Sequence, residues 1–76
     1  MRIHFDLPYS ARVYLEIVDL LGKCVREVFA GEVGAGFDAS ISVDSQGLSS
    51  GVYLYRLTAQ SDVGTFTNSG KFIVIR

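Results

Sequence analysis

The sequence predicts an all-β fold, an antiparallel β-sandwich of about six or seven short strands. Three observations predict it. Apolar and polar residues alternate over several short runs, the period of a strand with one buried face. Segments rich in glycine, aspartate and serine separate those runs at intervals typical of sandwiches. No segment of useful length carries the 3.6-residue period of a helix.

Ile3, Phe5 and Leu7 alternate with Arg2, His4 and Asp6 until Pro8, which lacks a backbone donor and stops the run. From Arg12 to Asp19, Val13, Leu15 and Ile17 point one way and Arg12, Tyr14, Glu16 and Val18 the other. The apolar Val18 on the outer face implies partial cover there. Leu20-Leu21-Gly22-Lys23 then turns the chain, with Gly22 able to take the positive φ that a tight hairpin needs. Asp19 fits a turn-capping role, since its carboxylate accepts hydrogen bonds from backbone N–H groups two residues on. Cys24 to Ala30 is the return strand. Its apolar residues Val25, Val28 and Phe29 break strict alternation, which predicts a bulge or an early end.

Residues 31–36 hold three glycines and read as a surface connection between strands. Alternation resumes from Asp38 to Asp44, with Ala39, Ile41 and Val43 inward and Ser40 and Ser42 outward. Residues 45–50 form a loop with one apolar anchor, Leu48. Gly51 to Gln60 is apolar on both faces, Val52 and Leu54 on one and Tyr53, Tyr55 and Leu57 on the other, as befits a central strand. After a turn at Ser61-Asp62-Val63-Gly64, Thr65 to Arg76 closes the chain, with Phe72 and Val74 opposite in facing to Ile73 and Ile75. Gly70 is a candidate break within that segment. The pattern gives one domain, residues 1–76, immunoglobulin-like in architecture. It lacks the Cys…Trp…Cys signature of true immunoglobulin domains, having one Cys and no Trp.

The bulk properties bound the function. Of the 76 residues, 49% are hydrophobic and 20% charged, and mean hydropathy is +0.31, which excludes a disordered chain. A chain this short buries only roughly 60% of its unfolded surface, so modest stability is expected. Net charge is −1, and the seven Lys and Arg are scattered singly, so there is no basic stripe for nucleic acid. No apolar run approaches the roughly 20 residues of a transmembrane helix. Residues 1–4 contain no signal-peptide core, so if the domain is exported, its signal is expected either upstream in a longer precursor or in the domain itself. With Met1 set directly against the first strand, an excised segment is expected. Cys24 is the single cysteine and forms no internal disulfide.

Several patterns together resemble one family. They are Leu7-Pro8, then Val13-x-Leu15-x-Ile17-x-Asp19-x-x-Gly22-x-x-Val25, then a glycine pair, then Leu48-x-x-Gly51-Val52-Tyr53-x-Tyr55-x-Leu57, then Lys71-Phe72-x-Val74-x-Arg76. In this order they are similar to the type A C-terminal sorting domain of the type IX secretion system of Bacteroidetes. They also resemble the immunoglobulin-like domain of the flagellar hook-capping protein. Val18 stands where the family usually has an aromatic residue, and Gly70-Lys71 where it usually has two basic ones.

The resemblance implies a module at the end of a larger secreted protein, recognised in its folded form by an outer-membrane translocon. It further implies that a sortase-like cysteine peptidase cuts upstream and joins the cargo to a surface lipopolysaccharide. The protein would pass through periplasm and outer membrane to the cell surface or the medium. Candidate recognition residues are Lys71, Phe72, Ile73, Val74, Ile75 and Arg76. The residues expected to carry the structural motif are Asp19, Gly22, Gly51, Tyr53 and Tyr55.

Other chemistry finds little footing. His4 lies on the polar face of its strand with Asp6 nearby, the setting of a solvated histidine. No serine sits in a nucleophile-elbow context, and a sandwich this small has little room for a deep pocket, so no enzyme and no cofactor are expected. Asp44-Ser45-Gln46-Gly47 fails the calcium-loop pattern. An alternative remains: an accessory immunoglobulin-like structural or carbohydrate-binding module, using Tyr14, Tyr53 and Tyr55 as a platform if they share one exposed face.

Overall fold

The computed structural model describes residues 2–75, and the backbone alone at residues 37 and 38. Six strands form: β1 Arg2–Leu7, β2 Ala11–Val18, β3 Cys24–Val33, β4 Gly36–Ser42, β5 Gly51–Ser61 and β6 Gly64–Val74. They make two antiparallel sheets, β1-β4 and β3-β2-β5-β6, and the described residues include no helix. The fold is an immunoglobulin-like β-sandwich.

The core follows directly from the alternation. Val13, Leu15 and Ile17 of β2 are fully buried, and Leu57 and Ala59 of β5 lie beside them. Ile3, Leu7 and Val43 close over them from the β1-β4 side, with Leu48 reaching in from the loop. Burying one such aliphatic side chain stabilises by roughly 1.5–3 kcal/mol, so this small set carries much of the fold. Val18 is buried as well, but on the outer face, where Cys24 and Leu54 flank it in register.

Two expectations need correction. Residues 31–36 are not all connection: Gly31, Glu32 and Val33 extend β3, pairing with Val13, Arg12 and Ala11. A glycine costs a strand some entropy, yet here the neighbouring strand offers a full ladder of partners. Only Gly34 and Ala35 lie between β3 and β4. Gly70 does not divide the last segment either, because β6 runs unbroken from Gly64 to Val74 and ends two residues before Arg76, which lies outside the described residues.

The irregularity foreseen in the return strand is present twice. Leu15 and Glu16 face Phe29 and Glu27, leaving Val28 unmatched, and Ile17 and Val18 face Arg26 and Cys24, leaving Val25 unmatched. Both bulges twist β3, and the one at Val28 turns Arg26 to the inner side, in register with buried Ile17. Its guanidinium donates to the carbonyl oxygens of Asp44 and Gln46, the latter at 2.7 Å. One side chain thereby ties the larger sheet to the loop that follows β4.

Candidate recognition surface at the terminal strand

The hairpin between β2 and β3 is held by one carboxylate. Asp19 Oδ1 accepts from the backbone N–H groups of Leu21 and Lys23, each at 2.9 Å, and Gly22 occupies φ +86°. Gly22 N–H also donates to the Asp19 carbonyl at 3.0 Å. These bonds satisfy the tip internally and leave the side chains of Leu20 and Leu21 in solvent, the second 94% exposed.

The same end of the sandwich carries the finish of β6. Val18 of β2 faces Leu54 of β5, and Gly51 at the start of β5 faces Val74. The hairpin tip and the end of β6 therefore lie toward one end of the larger sheet. Along β6 the candidate residues divide by face. Phe72 and Val74 turn inward: Val74 joins the core, and Phe72 stacks on Tyr53 with centroids 5.9 Å apart. Such an aromatic pair adds about 0.5–1.5 kcal/mol beyond burial. Lys71 and Ile73 turn outward and are exposed, and Ile75 follows the strand, also exposed. The inward pair anchors the strand, while Lys71, Ile73 and Ile75 are accessible to a partner.

Tyr53 and Tyr55 support this strand from β5. The Tyr53 hydroxyl donates to the Ser49 carbonyl at 2.7 Å, fixing the loop before β5. The Tyr55 ring lies across Gly70: a Cβ built there would come within 2.4 Å of it. Gly70 is thus a close-approach position, and the aromatic ring covers the space its missing side chain leaves. Gly51 faces Val74 and has no comparable requirement, since a Cβ there would meet the Tyr53 ring at an ordinary 3.9 Å.

The tyrosine platform does not form. Tyr53 and Tyr55 lie on the inner face with Ile17, whereas Tyr14 lies on the outer face opposite Thr58. Tyr14 instead accepts a hydrogen bond from Arg12 Nε at 2.9 Å. Beyond it on the same face, Arg56 pairs with Glu16, its Nε 2.6 Å from Oε1. At the opposite end of the molecule, Leu7, Pro8, Tyr9, Ala59, Val63 and Phe66 line an uncharged groove of about 360 Å³. It exists because a two-stranded sheet facing four strands leaves part of the β5–β6 hairpin uncovered.

Cys24 opens β3 beside Glu16. Partial desolvation first, then its hydrogen bond and proximity to Glu16, hold the thiol above its ordinary value, so it is protonated near neutral pH. His4 is exposed on β1. Among the described residues, no three His, Cys, Asp or Glu side chains are grouped to hold a metal. No helix among them is long and apolar enough to cross a membrane.

Sequence reasoning missed Arg26 and the exposed hairpin leucines. An arginine in a strand reads as solvent-facing, and only the bulge at Val28 turns this one inward. Leu20 and Leu21 sit in a turn, and an apolar turn pair was the available signal.

Fold and surface together define a small β-sandwich module in which β6 ends its sheet among the described residues and turns basic Lys71 and apolar Ile73 outward. Residues 1–75 match the family model of the secretion system C-terminal sorting domain. The chain belongs to that family of type IX secretion sorting domains, whose presence implies export to the cell surface or release. No curated protein and no solved structure matches it.

Proposed function

We propose that residues 1–76 act as one folded export signal at the end of a larger secreted protein. An outer-membrane translocon reads the folded module, and a sortase-like cysteine peptidase then removes it from the upstream cargo. The observation that carries this reading is the family match over residues 1–75. The reading assigns a division of labour to residues 71–75. Lys71, Ile73 and Ile75 present the recognised surface, and Phe72 and Val74 keep that strand in place. The exposed Leu20 and Leu21 lie toward the same end and extend the apolar surface. Arg76, outside the described residues, is part of the proposed signal by its place in the sequence motif.

The test fuses residues 1–76 behind a periplasmic reporter in a Bacteroidetes host with a working type IX system. The reporter is expected at the cell surface or in the medium. The double variant Lys71→Glu/Ile73→Asp is expected to lower export at least tenfold while leaving the purified domain's melting temperature within a few degrees. A reporter that stays in the periplasm with the unaltered domain attached sinks the proposal.

A further inference from the structure

Strand β6 ends the four-stranded sheet, and among the described residues no strand pairs with its outer side. Its hairpin with β5 has a two-residue loop, Asp62-Val63, with Ser61 opposite Gly64. Residues flanking such a loop form a hydrogen-bonded pair, and such pairs recur at every second position. The backbone N–H and C=O groups of Thr65, Thr67, Ser69, Lys71 and Ile73 therefore point away from β5, into the open side. Natural sheets guard such rows with proline, bulges, charged side chains (lysine above all) or a covering element. Strand β6 has no proline, no register shift against β5, and Lys71 as its one charged residue.

We propose that this edge pairs with the same edge of a second copy of the chain, antiparallel about Ser69. The two four-stranded sheets then join into one continuous sheet. The side-chain register is what selects a second copy as the occupant. Ser69 is the midpoint of Gly64–Val74, so pairing about it gives all 11 residues of the strand a partner. Lys71 then faces Thr67 of the second copy, and no like charges meet. Phe66, 58% exposed on the inner face, falls beside Phe72 of the second copy. That position is a non-hydrogen-bonded pair, in which side chains approach most closely and aromatic contacts count most. Ile73, 65% exposed, faces Thr65 of the second copy. A strand edge buries less than the roughly 1,200 Å² of a standard interface, so the dimer is weak and fills only at high protein concentration.

The inference concerns the edge alone and is tested without any secretion component, so its failure leaves the export reading standing. Sedimentation velocity of residues 1–76 from about 10 μM to about 1 mM is expected to show a coefficient rising toward that of a dimer. The register makes a sharper demand. Thr67→Glu places a carboxylate opposite Lys71 at two symmetric positions and tightens association, whereas Thr67→Lys loosens it, the two variants differing about tenfold. Ser69→Pro removes an outward donor while sparing the ladder to β5, and leaves a folded monomer at every concentration. Should Ser69→Pro melt the domain, the Thr67 pair decides alone, because both variants keep every backbone donor. A chain that remains monomeric to about 1 mM overturns the proposal. So do Thr67→Glu and Thr67→Lys variants that associate equally.

Discussion

Strands β3 and β6 flank the same two inner strands, yet β3 slips register twice against β2 while β6 keeps unbroken register with β5 from Gly64 to Val74. β3 carries Arg26, Glu27 and Glu32, and Arg26 fastens it to the loop after β4. β6 carries only Lys71 and has the Tyr55 ring laid over its one internal glycine. Bulges and charge make a poor template for a further strand, whereas a long regular edge makes a good one. Both strands end the sheet, but β3 is closed to a further strand by its bulges and charge, whereas β6 is straight and open. In a sorting domain that asymmetry puts the accessible backbone on the strand bearing the C-terminal motif.

The largest expected effect breaks the straight edge. Gly70→Ala drives a methyl group into the Tyr55 ring, which must swing off the inner face, at a cost of about 1–3 kcal/mol. Chemical denaturation of the single and double variants separates this contact from glycine's backbone preference. In a Tyr55→Ala background the further cost of Gly70→Ala should nearly vanish. An undiminished cost would show that the ring is not what requires glycine there.

Next comes the closed edge. Arg26→Ala removes both donors from the Asp44 and Gln46 carbonyls and is expected to destabilise by about 2 kcal/mol. Hydrogen exchange should rise around residues 45–48, where Leu48 N–H donates to the Ser45 carbonyl at 3.1 Å. Protection of β6 should change only as global stability does. Arg26→Lys, which cannot present a planar fork to two carbonyls, is expected to recover less than half of the loss. Full recovery would mean that charge, not geometry, holds the loop.

The difference between the edges was only half legible in the sequence. Alternation reveals which side chains face inward within a strand, so the core of Val13, Leu15, Ile17 and Leu57 and the turns at Gly22 and Asp62-Val63 could be read directly. The broken alternation at Val25 and Val28 announced the irregular edge. Register between distant strands is not a local property, and the errors lie there. Gly31 and Gly70 look like breaks because glycine weakens an isolated strand, but Val13 pairs with the first and Tyr55 covers the second. Tyr14 and Tyr55 were separable by face only once β2 was aligned with β5. Of the terminal motif, the facing of Phe72 and Val74 against Ile73 and Ile75 was legible. That β6 ends the sheet was not, since strand order depends on long-range pairing.

The smallest effect concerns the outer face beside the closed edge, where Cys24 adjoins Glu16. Desolvation first, and then the Glu16 carboxylate, which accepts from the thiol and repels a thiolate, hold the proton more tightly than in a free cysteine. Alkylation by iodoacetamide requires the thiolate and should be slower than for a model thiol at pH 8, rising only as pH passes above the ordinary thiol range. Glu16→Gln removes the negative charge, lowers the pH at which the rate rises, and should speed alkylation at pH 8 by about two- to fivefold. The same change also costs Arg56 its partner across β2 and β5, a partly exposed pair worth no more than about 1 kcal/mol, so the melting temperature should move little. Arg56→Ala separates the two effects: it removes the ion pair, keeps the carboxylate beside the thiol, and should leave alkylation as slow as before or slower. If Arg56→Ala accelerates the reaction as much as Glu16→Gln does, the thiol is governed by access at the start of β3 and not by the neighbouring charge.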